Sequence, residues 1–300
     1  MEAVISQSTR RQVATQRVAM SPPAKINLSL QVQAKRKDGF HELHTIIATI
    51  SLSDTLTLTA TNSGGIQFST IGIDTPSGHD NIVTKAAQLI ENYCEQTLNV
   101  QIDLEKNIPT GAGLGGGSSD AASCLMGLNK LFALNIPLPQ LTAMAAQLGS
   151  DVPFFLYGPV ALCTGRGEIV TPLDARCDLD ILIITPNIHV PTHTIFKHFK
   201  PNEQQTARQL QHIQAYVANQ QLNALAQAGY NNLTSVCMAQ FEKLATLKNK
   251  LASQGVGPIF MSGSGSTLYV LSSARVALEE MRKEVRKQGC DAQIVNFLQS

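Results

Sequence analysis

Gly111-Ala112-Gly113-Leu114-Gly115-Gly116-Gly117-Ser118-Ser119 is the stretch on which the reading of this chain turns. Five of its first seven residues are glycines, which leave the backbone free to take positive φ and to approach a ligand without Cβ hindrance. Ala121, Leu125, Leu128 and Phe132 then recur at helical spacing, so a helix is expected to start near Ser118 or Ser119, both good caps. Unpaired N–H groups at such a helix start favour an anion, above all a polyphosphate. A linker or tight turn is the plain alternative, but linkers do not usually run straight into a capped helix.

Gly111, Gly113 and Gly116 also satisfy the dinucleotide fingerprint G-x-G-x-x-G. That fold needs a second parallel strand after one helix, and an acidic residue about 20 positions on. Residues 131 to 136 read Leu-Phe-Ala-Leu-Asn-Ile, and Leu141 to Leu148 reads as another helix. A Walker A loop is excluded because no G-K-S/T follows the glycines.

Upstream, Ile26, Leu28, Leu30 and Val32 alternate with Asn27, Ser29, Gln31 and Gln33, the pattern of a half-buried strand over Lys25 to Ala34. Thr45 to Thr59 and Gly65 to Ile71 extend a β-rich first third, a helix is expected at about Asp80 to Gln96, and Val100 to Leu104 reads as the strand feeding the loop. Downstream come a strand pair at Val160 to Pro172, a strand at Leu179 to Thr185, and helical stretches at Ala207 to Leu225 and Leu233 to Ser253. A second glycine-serine loop, Ser262 to Thr267, precedes a strand at Leu268 to Leu271, a helix at Val276 to Lys287 and a strand at Ala292 to Phe297. Strands and helices cluster instead of alternating, so the fold class is α+β. A flexible extension over residues 1–20, a first domain over 21–160 and a second over 161–300 are expected.

The 300 residues are 43% apolar, enough for a sizeable core, and the net charge of +1 with 5% aromatics gives no footprint for a nucleic-acid partner. Six dispersed cysteines show neither a CxxC pair nor the density of a disulfide scaffold, so reduced thiols in a cytoplasmic protein are expected. No run approaches the roughly 18 to 20 apolar residues of a membrane span. Arg10, Arg11 and Arg17 against Glu2 have the look of a transit peptide, although arginines in a polar tail are usually just solvated.

Pro109 to Asp120 closely resembles the phosphate loop of the GHMP superfamily, which includes galactokinase, homoserine kinase, mevalonate kinase and phosphomevalonate kinase. Pro23-Ala24-Lys25-Ile26-Asn27-Leu28, Lys37-Asp38-Gly39-Phe40-His41-Glu42-Leu43, Leu148 to Phe155 and Met261 to Thr267 follow in the order of its 4-diphosphocytidyl-2-C-methyl-D-erythritol kinase branch. The resemblance implies a two-domain α+β fold with the active site in the cleft, and ATP-dependent phosphorylation of a hydroxyl, with Mg²⁺ and ATP as cofactor and co-substrate. A different kinase of the superfamily, or a nucleotide-binding protein without catalysis, remains open.

On the same resemblance, Asp151 is the base that accepts the substrate hydroxyl proton, and Lys25 sits beside it. Asn27, Phe40, His41, Thr192 and Phe196 contact the substrate, with the cytosine stacked between Phe40 and Phe196. Phe40 departs from the commoner tyrosine, which keeps the ring face and loses a phenol hydrogen bond. Asn81, Ile82, Lys106, Pro109, Gly111, Gly113, Leu114, Gly115, Gly116, Gly117, Ser118 and Ser119 hold the nucleotide. Read alone, Asp151 would be a turn residue, Lys25 an edge charge, Asn81 a helix cap and Lys106 a solvated cation. His41 and His44 form H-x-x-H, which lacks a third ligand, so no protein metal site is assigned.

Overall fold

The computed structural model describes residues 16–76, 78–201, 227–253 and 257–299, together with positions 215 and 224. The described residues form three sheets. The first has the order β1(Arg17–Met20), β4(Thr55–Ala60), β6(Val100–Lys106), β5(Ile66–Gly72). The second runs β10(Tyr230–Asn231), β2(Pro23–Lys35), β3(His41–Ser53), β7(Val160–Gly165), β8(Ile169–Pro172). The third runs β11(Phe260–Met261), β12(Leu268–Ser272), β9(Asp180–Thr185), β13(Asp291–Asn296). Among the described residues only the β10–β2 and β5–β6 pairs are parallel, so the α+β expectation holds over a doubly wound sheet.

Helices α1(Ile82–Cys94), α2(Gly116–Leu131) and α3(Leu138–Leu148) cover the first sheet. Their apolar faces meet Leu56, Leu58, Val100, Ile102 and Leu104 in one core. On the other side, Ile26, Leu28, Ile46 and Ile50 of the second sheet pack on Ile181, Ile183 and Tyr269 of the third. The far face of the third sheet is covered by α4(Thr192–His198), α5(Leu233–Gln240), α6(Glu242–Ala252) and α7(Arg275–Lys287).

Several expectations change. Both faces of β2 are covered, so its polar face is buried as well: Asn27 and Ser29 are 5% and 1% exposed. The half-buried reading therefore fails, because the alternation separates a core face from a face built for polar contacts. The segment Thr45 to Thr59 is two strands, broken at Asp54, and the helix expected over Leu233 to Ser253 is interrupted at Phe241. Residues 17–20 of the expected extension are a strand paired with β4, from Arg17 against Thr59 to Met20 against Leu56. The division expected at residue 160 falls inside the second sheet, where β7 pairs with β3 from Leu43↔Gly165 to Ala48↔Val160. The helix expected at Ala207 to Leu225 lies outside the described residues apart from positions 215 and 224. Asn81 does cap α1, its side chain accepting from the Val83 N–H at 2.8 Å.

Candidate active site

Lys25 lies in the middle of the molecule, 3% exposed, because β2 carries it between the phosphate loop and β3. Its ammonium is 3.3 Å from a carboxylate oxygen of Asp151 and donates to the Asn27 amide oxygen at 2.8 Å. Asn27 in turn donates to Thr45 Oγ1 at 2.8 Å, and Thr45 donates to the Ser29 carbonyl at 2.6 Å. The polar face of β2 is thus a chain of hydrogen bonds that fixes one buried cation beside one carboxylate. Close by, burial pushes the Cys163 thiol up to about 12, with the Asp151 charge adding to the rise, so this thiol stays protonated.

Gly111, Gly113 and Gly115 take φ of +68°, +81° and +69°. Residues of opposite hand alternate with them, an arrangement that turns successive N–H groups to one side and makes an anion-binding concavity. α2 begins at Gly116, with left-handed Gly115 as its cap and no side-chain capping bond. The serine cap expected at Ser118 or Ser119 is absent because both already lie inside the helix, so the first N–H groups face outward for a ligand. The second loop braces the first: Ser262 Oγ donates to the Gly113 carbonyl at 2.8 Å and Thr267 N–H to the Ala112 carbonyl at 3.2 Å.

Of the twelve positions expected to hold the nucleotide, all but Leu114 and Ser119 line a cavity of about 350 Å³. Leu114 points into the core, and its carbonyl accepts from the Lys25 N–H at 2.9 Å, while Ser119 is fully buried on α2. Lys106 lines the cavity, yet it is no solvated cation. It is 3% exposed and paired with Asp54, and with Asp120 at 2.8 Å. Asp54 also accepts the N–H groups of Asn107 and Ile108, at 2.6 and 2.8 Å, and so anchors the segment that leads into the loop. Burial pushes the Asp120 carboxyl up to about 7, Lys106 opposing the rise and Asp54 adding to it.

A second cavity, of about 550 Å³, is lined by all five residues expected to contact the substrate, together with Lys25 and Asp151. Phe40 is 50% exposed at its mouth. The His41 ring is 5.8 Å from that of Phe196, and His41 Nδ1 lies 2.8 Å from the Gln33 carbonyl, which leaves Nε2 for a ligand. Thr192 Oγ1 is 2.9 Å from Ser264 Oγ, tying α4 to the second glycine-serine loop. Sequence reasoning missed Arg166, which lines this cavity with its guanidinium carbon 4.9 Å from the centre of the Phe40 ring. An arginine between two glycines at a strand turn, Gly165-Arg166-Gly167, was the available clue.

The two cavities share Gly113 and Gly115. A polyphosphate on the loop would therefore present its terminal group to a hydroxyl held beside Asp151. Residues 81–159 match the family model for the GHMP kinases N terminal domain, and residues 213–289 the one for GHMP kinases C terminal. A 4-diphosphocytidyl-2-C-methyl-D-erythritol kinase of Geobacillus sp. is 36% identical over 85% of this chain and 88% of that protein. The chain belongs to this kinase family.

The kinase of the same name from Solibacter usitatus is 40% identical over 85% of this chain and 81% of its own length. A crystal structure of a 4-(cytidine 5'-diphospho)-2C-methyl-D-erythritol kinase superposes with a TM-score of 0.77 at 32% identity, covering 94% of this chain and all of that one. Homoserine kinase from Cytophaga hutchinsonii shares the fold, with a TM-score of 0.73 at 17% identity over 98% of this chain and 97% of that one. Membership of the GHMP kinases makes this chain an enzyme of the kinase class that uses ATP as co-substrate. Among the described residues, no helix is long and apolar enough to cross a membrane, and no cluster of three or more metal-ligating side chains occurs.

Proposed function

We propose that this chain transfers the γ-phosphoryl group of ATP to the 2-hydroxyl of 4-diphosphocytidyl-2-C-methyl-D-erythritol, in the methylerythritol phosphate route to isoprenoid precursors. The observation that carries the reading is the meeting of the two cavities at Gly113 and Gly115, with Lys25 and Asp151 on the acceptor side. In this reading the loop amides and the start of α2 hold the triphosphate, and Asn81 and Ile82 line the adenosine end. Asp151 takes the proton of the attacking hydroxyl as its oxygen bonds to phosphorus, and ADP leaves. The buried Lys25 ammonium lies 3.3 Å from that carboxylate and places a positive charge beside the reacting oxygens. Phe40, His41 and Phe196 receive the cytosine, with Asn27 and Thr192 on the rest of the acceptor.

Mg²⁺ would neutralise charge on the transferring group. The carboxylates of the nucleotide cavity are Asp80, at its edge, and Asp120, which is engaged by Lys106. That donor set suits an ion carried in on ATP phosphates and water, with at most one carboxylate from the chain. A cytoplasmic location follows from the same reading, since ATP and the cytidine nucleotide are both metabolites of that compartment. A coupled ADP-release assay with the cytidine diphosphate acceptor tests the reaction. Turnover with homoserine or mevalonate, and none with that acceptor, would replace the substrate assignment.

A further inference from the structure

The outer wall of the acceptor cavity consists of two turns from different hairpins. The turn between β2 and β3 carries Phe40 and leads to His41; the turn between β7 and β8 is Gly165, Arg166 and Gly167. Glu42 joins them. One of its carboxylate oxygens accepts from the Gly165 N–H at 2.9 Å, and the other accepts from Arg36 Nη1 at 2.5 Å. Arg36 holds Asp38 at 3.1 Å, and Asp38 accepts the Phe40 N–H at 3.1 Å. The Arg36 N–H also donates to the Phe40 carbonyl at 2.7 Å. The aromatic end of the cavity is therefore fastened through Glu42 to the glycine turn.

That turn ends against the base. A Cβ placed on Gly167 would lie 3.6 Å from Ser150 Cβ and 3.8 Å from Asp151 Oδ1, so the turn faces the segment that carries the carboxylate with room for about one methyl group between them. The Arg166 N–H donates to Glu168 at 2.5 Å, which stiffens the turn from the other side. A set of hydrogen bonds thus runs from Phe40 through Asp38, Arg36 and Glu42 to Gly165, in a turn that faces Asp151.

We propose that Glu42 is a positioning residue that couples occupancy of the aromatic end of the acceptor cavity to the placement of Asp151. The proposal rests on the acceptor reading given above. A ring seated on Phe40 and His41 fixes the tip of the β2–β3 hairpin, Glu42 carries that constraint to Gly165, and the position of Gly167 bounds the space into which Ser150 and Asp151 can shift. Binding energy from the remote ring is in this way used at the reacting centre. A misplacement of about 1 Å there costs on the order of 10² in rate.

Glu42→Ala and Glu42→Gln, compared with the wild-type enzyme, separate this role from general stiffening. Steady-state kinetics with the cytidine diphosphate acceptor, ATP calorimetry and thermal denaturation are measured on all three. Glu42→Ala is expected to lower kcat/KM for the acceptor by about 10- to 100-fold, with KM raised and kcat reduced, while ATP affinity stays within about twofold. Glu42→Gln keeps an oxygen for the Gly165 N–H and loses the charge facing Arg36. It is expected to recover most of kcat with KM still raised by about threefold or more.

A kcat within twofold of wild type in Glu42→Ala overturns the coupling. So does an ATP affinity that falls in parallel with acceptor turnover. Should Glu42→Ala fail to fold, the split between KM and kcat in Glu42→Gln decides, and unchanged values of both overturn the proposal. A wild-type enzyme that turns over no cytidine diphosphate acceptor would sink the proposed reaction itself, an outcome distinct from a reaction that is insensitive to Glu42.

Discussion

The Lys25 ammonium lies 3.3 Å from the Asp151 carboxylate, and the two are held in different degrees of exposure: Lys25 is 3% exposed and Asp151 37%. The cation is fixed by the core, while the carboxylate opens onto the acceptor cavity. Asp151→Asn keeps this shape and removes the proposed proton acceptor, so turnover is expected to fall by about 10²–10⁴ with ATP binding retained. Calorimetry with ATP beside an ADP-release assay checks it, and unchanged turnover removes Asp151 from the mechanism.

Lys106 bridges two carboxylates that the core has enclosed, Asp54 and Asp120, which are 0% and 2% exposed. Lys106→Met leaves both without a cation and is expected to cost about 3–5 kcal/mol of stability. Urea denaturation measures this. A loss under about 1 kcal/mol would mean that the pair is relieved by protonation instead of paying for buried charge.

Asp120 supplies a pH dependence whose sign follows from its raised carboxyl, which titrates at about 7 in the fold. An aspartate in an unfolded chain titrates near about 3.9, so between these values the folded protein keeps a proton that the unfolded chain has lost. The associated stability is present at low pH and is lost as pH rises from about 4 through about 7. Asp120→Asn cannot titrate, so wild type should lose Tm relative to this variant between about pH 5 and about pH 8. An equal Tm difference at both pH values would count against the assignment.

Gly113 in the loop and Gly117 in the first turn of α2 belong to one glycine run and differ in what surrounds them. A Cβ at Gly113, where φ is +81°, would run into the Ser262 carbonyl oxygen, whereas one at Gly117 would meet only Ile82 Cγ2, at 3.8 Å. Gly113→Ala is expected to separate the two loops and lower Tm sharply. Gly117→Ala should hold Tm or raise it, because alanine is favoured over glycine inside a helix by about 1 kcal/mol. Thermal denaturation of both variants tests the contrast, and equal effects would show that the packing of the two loops is looser than these contacts imply.

Phe40 stacks on Arg166 with 4.9 Å between the guanidinium carbon and the ring centre. Phe40→Tyr keeps the ring face and should leave acceptor KM within about threefold. Phe40→Ala removes both the stacking surface and the cation–π partner, and should raise acceptor KM by about tenfold or more with ATP KM unchanged. Parallel changes in both KM values would place Phe40 outside acceptor binding.

Much of this architecture was legible in the chain itself. The glycine run and the alternation along β2 pointed to an anion-binding loop and a strand with one polar face, and the resemblance of the loop and four further short motifs to the GHMP superfamily supplied the α+β kinase fold. Those signals are local: each depends on residues within one element, where backbone freedom and periodicity are written directly into the sequence. Asp54, Glu42 and Arg166 escaped notice because each acts on a partner far along the chain. Asp54 meets Lys106 and the N–H groups of Asn107 and Ile108, and Glu42 meets Gly165.

By itself, then, the sequence determined that a glycine loop would open a helix and that polar residues would line one face of β2. Tertiary structure decided what those features face. Burial of both faces of β2 turned Lys25 from an edge charge into an enclosed cation, and the enclosure of Lys106 turned a surface lysine into the centre of a charged cluster. The physical reason is that desolvation and pairing depend on what covers a residue, and that covering comes from strands and loops far apart in the chain: the hydrogen bond of Ser262 to Gly113 spans 149 positions and that of Tyr269 to the Asn27 carbonyl spans 242.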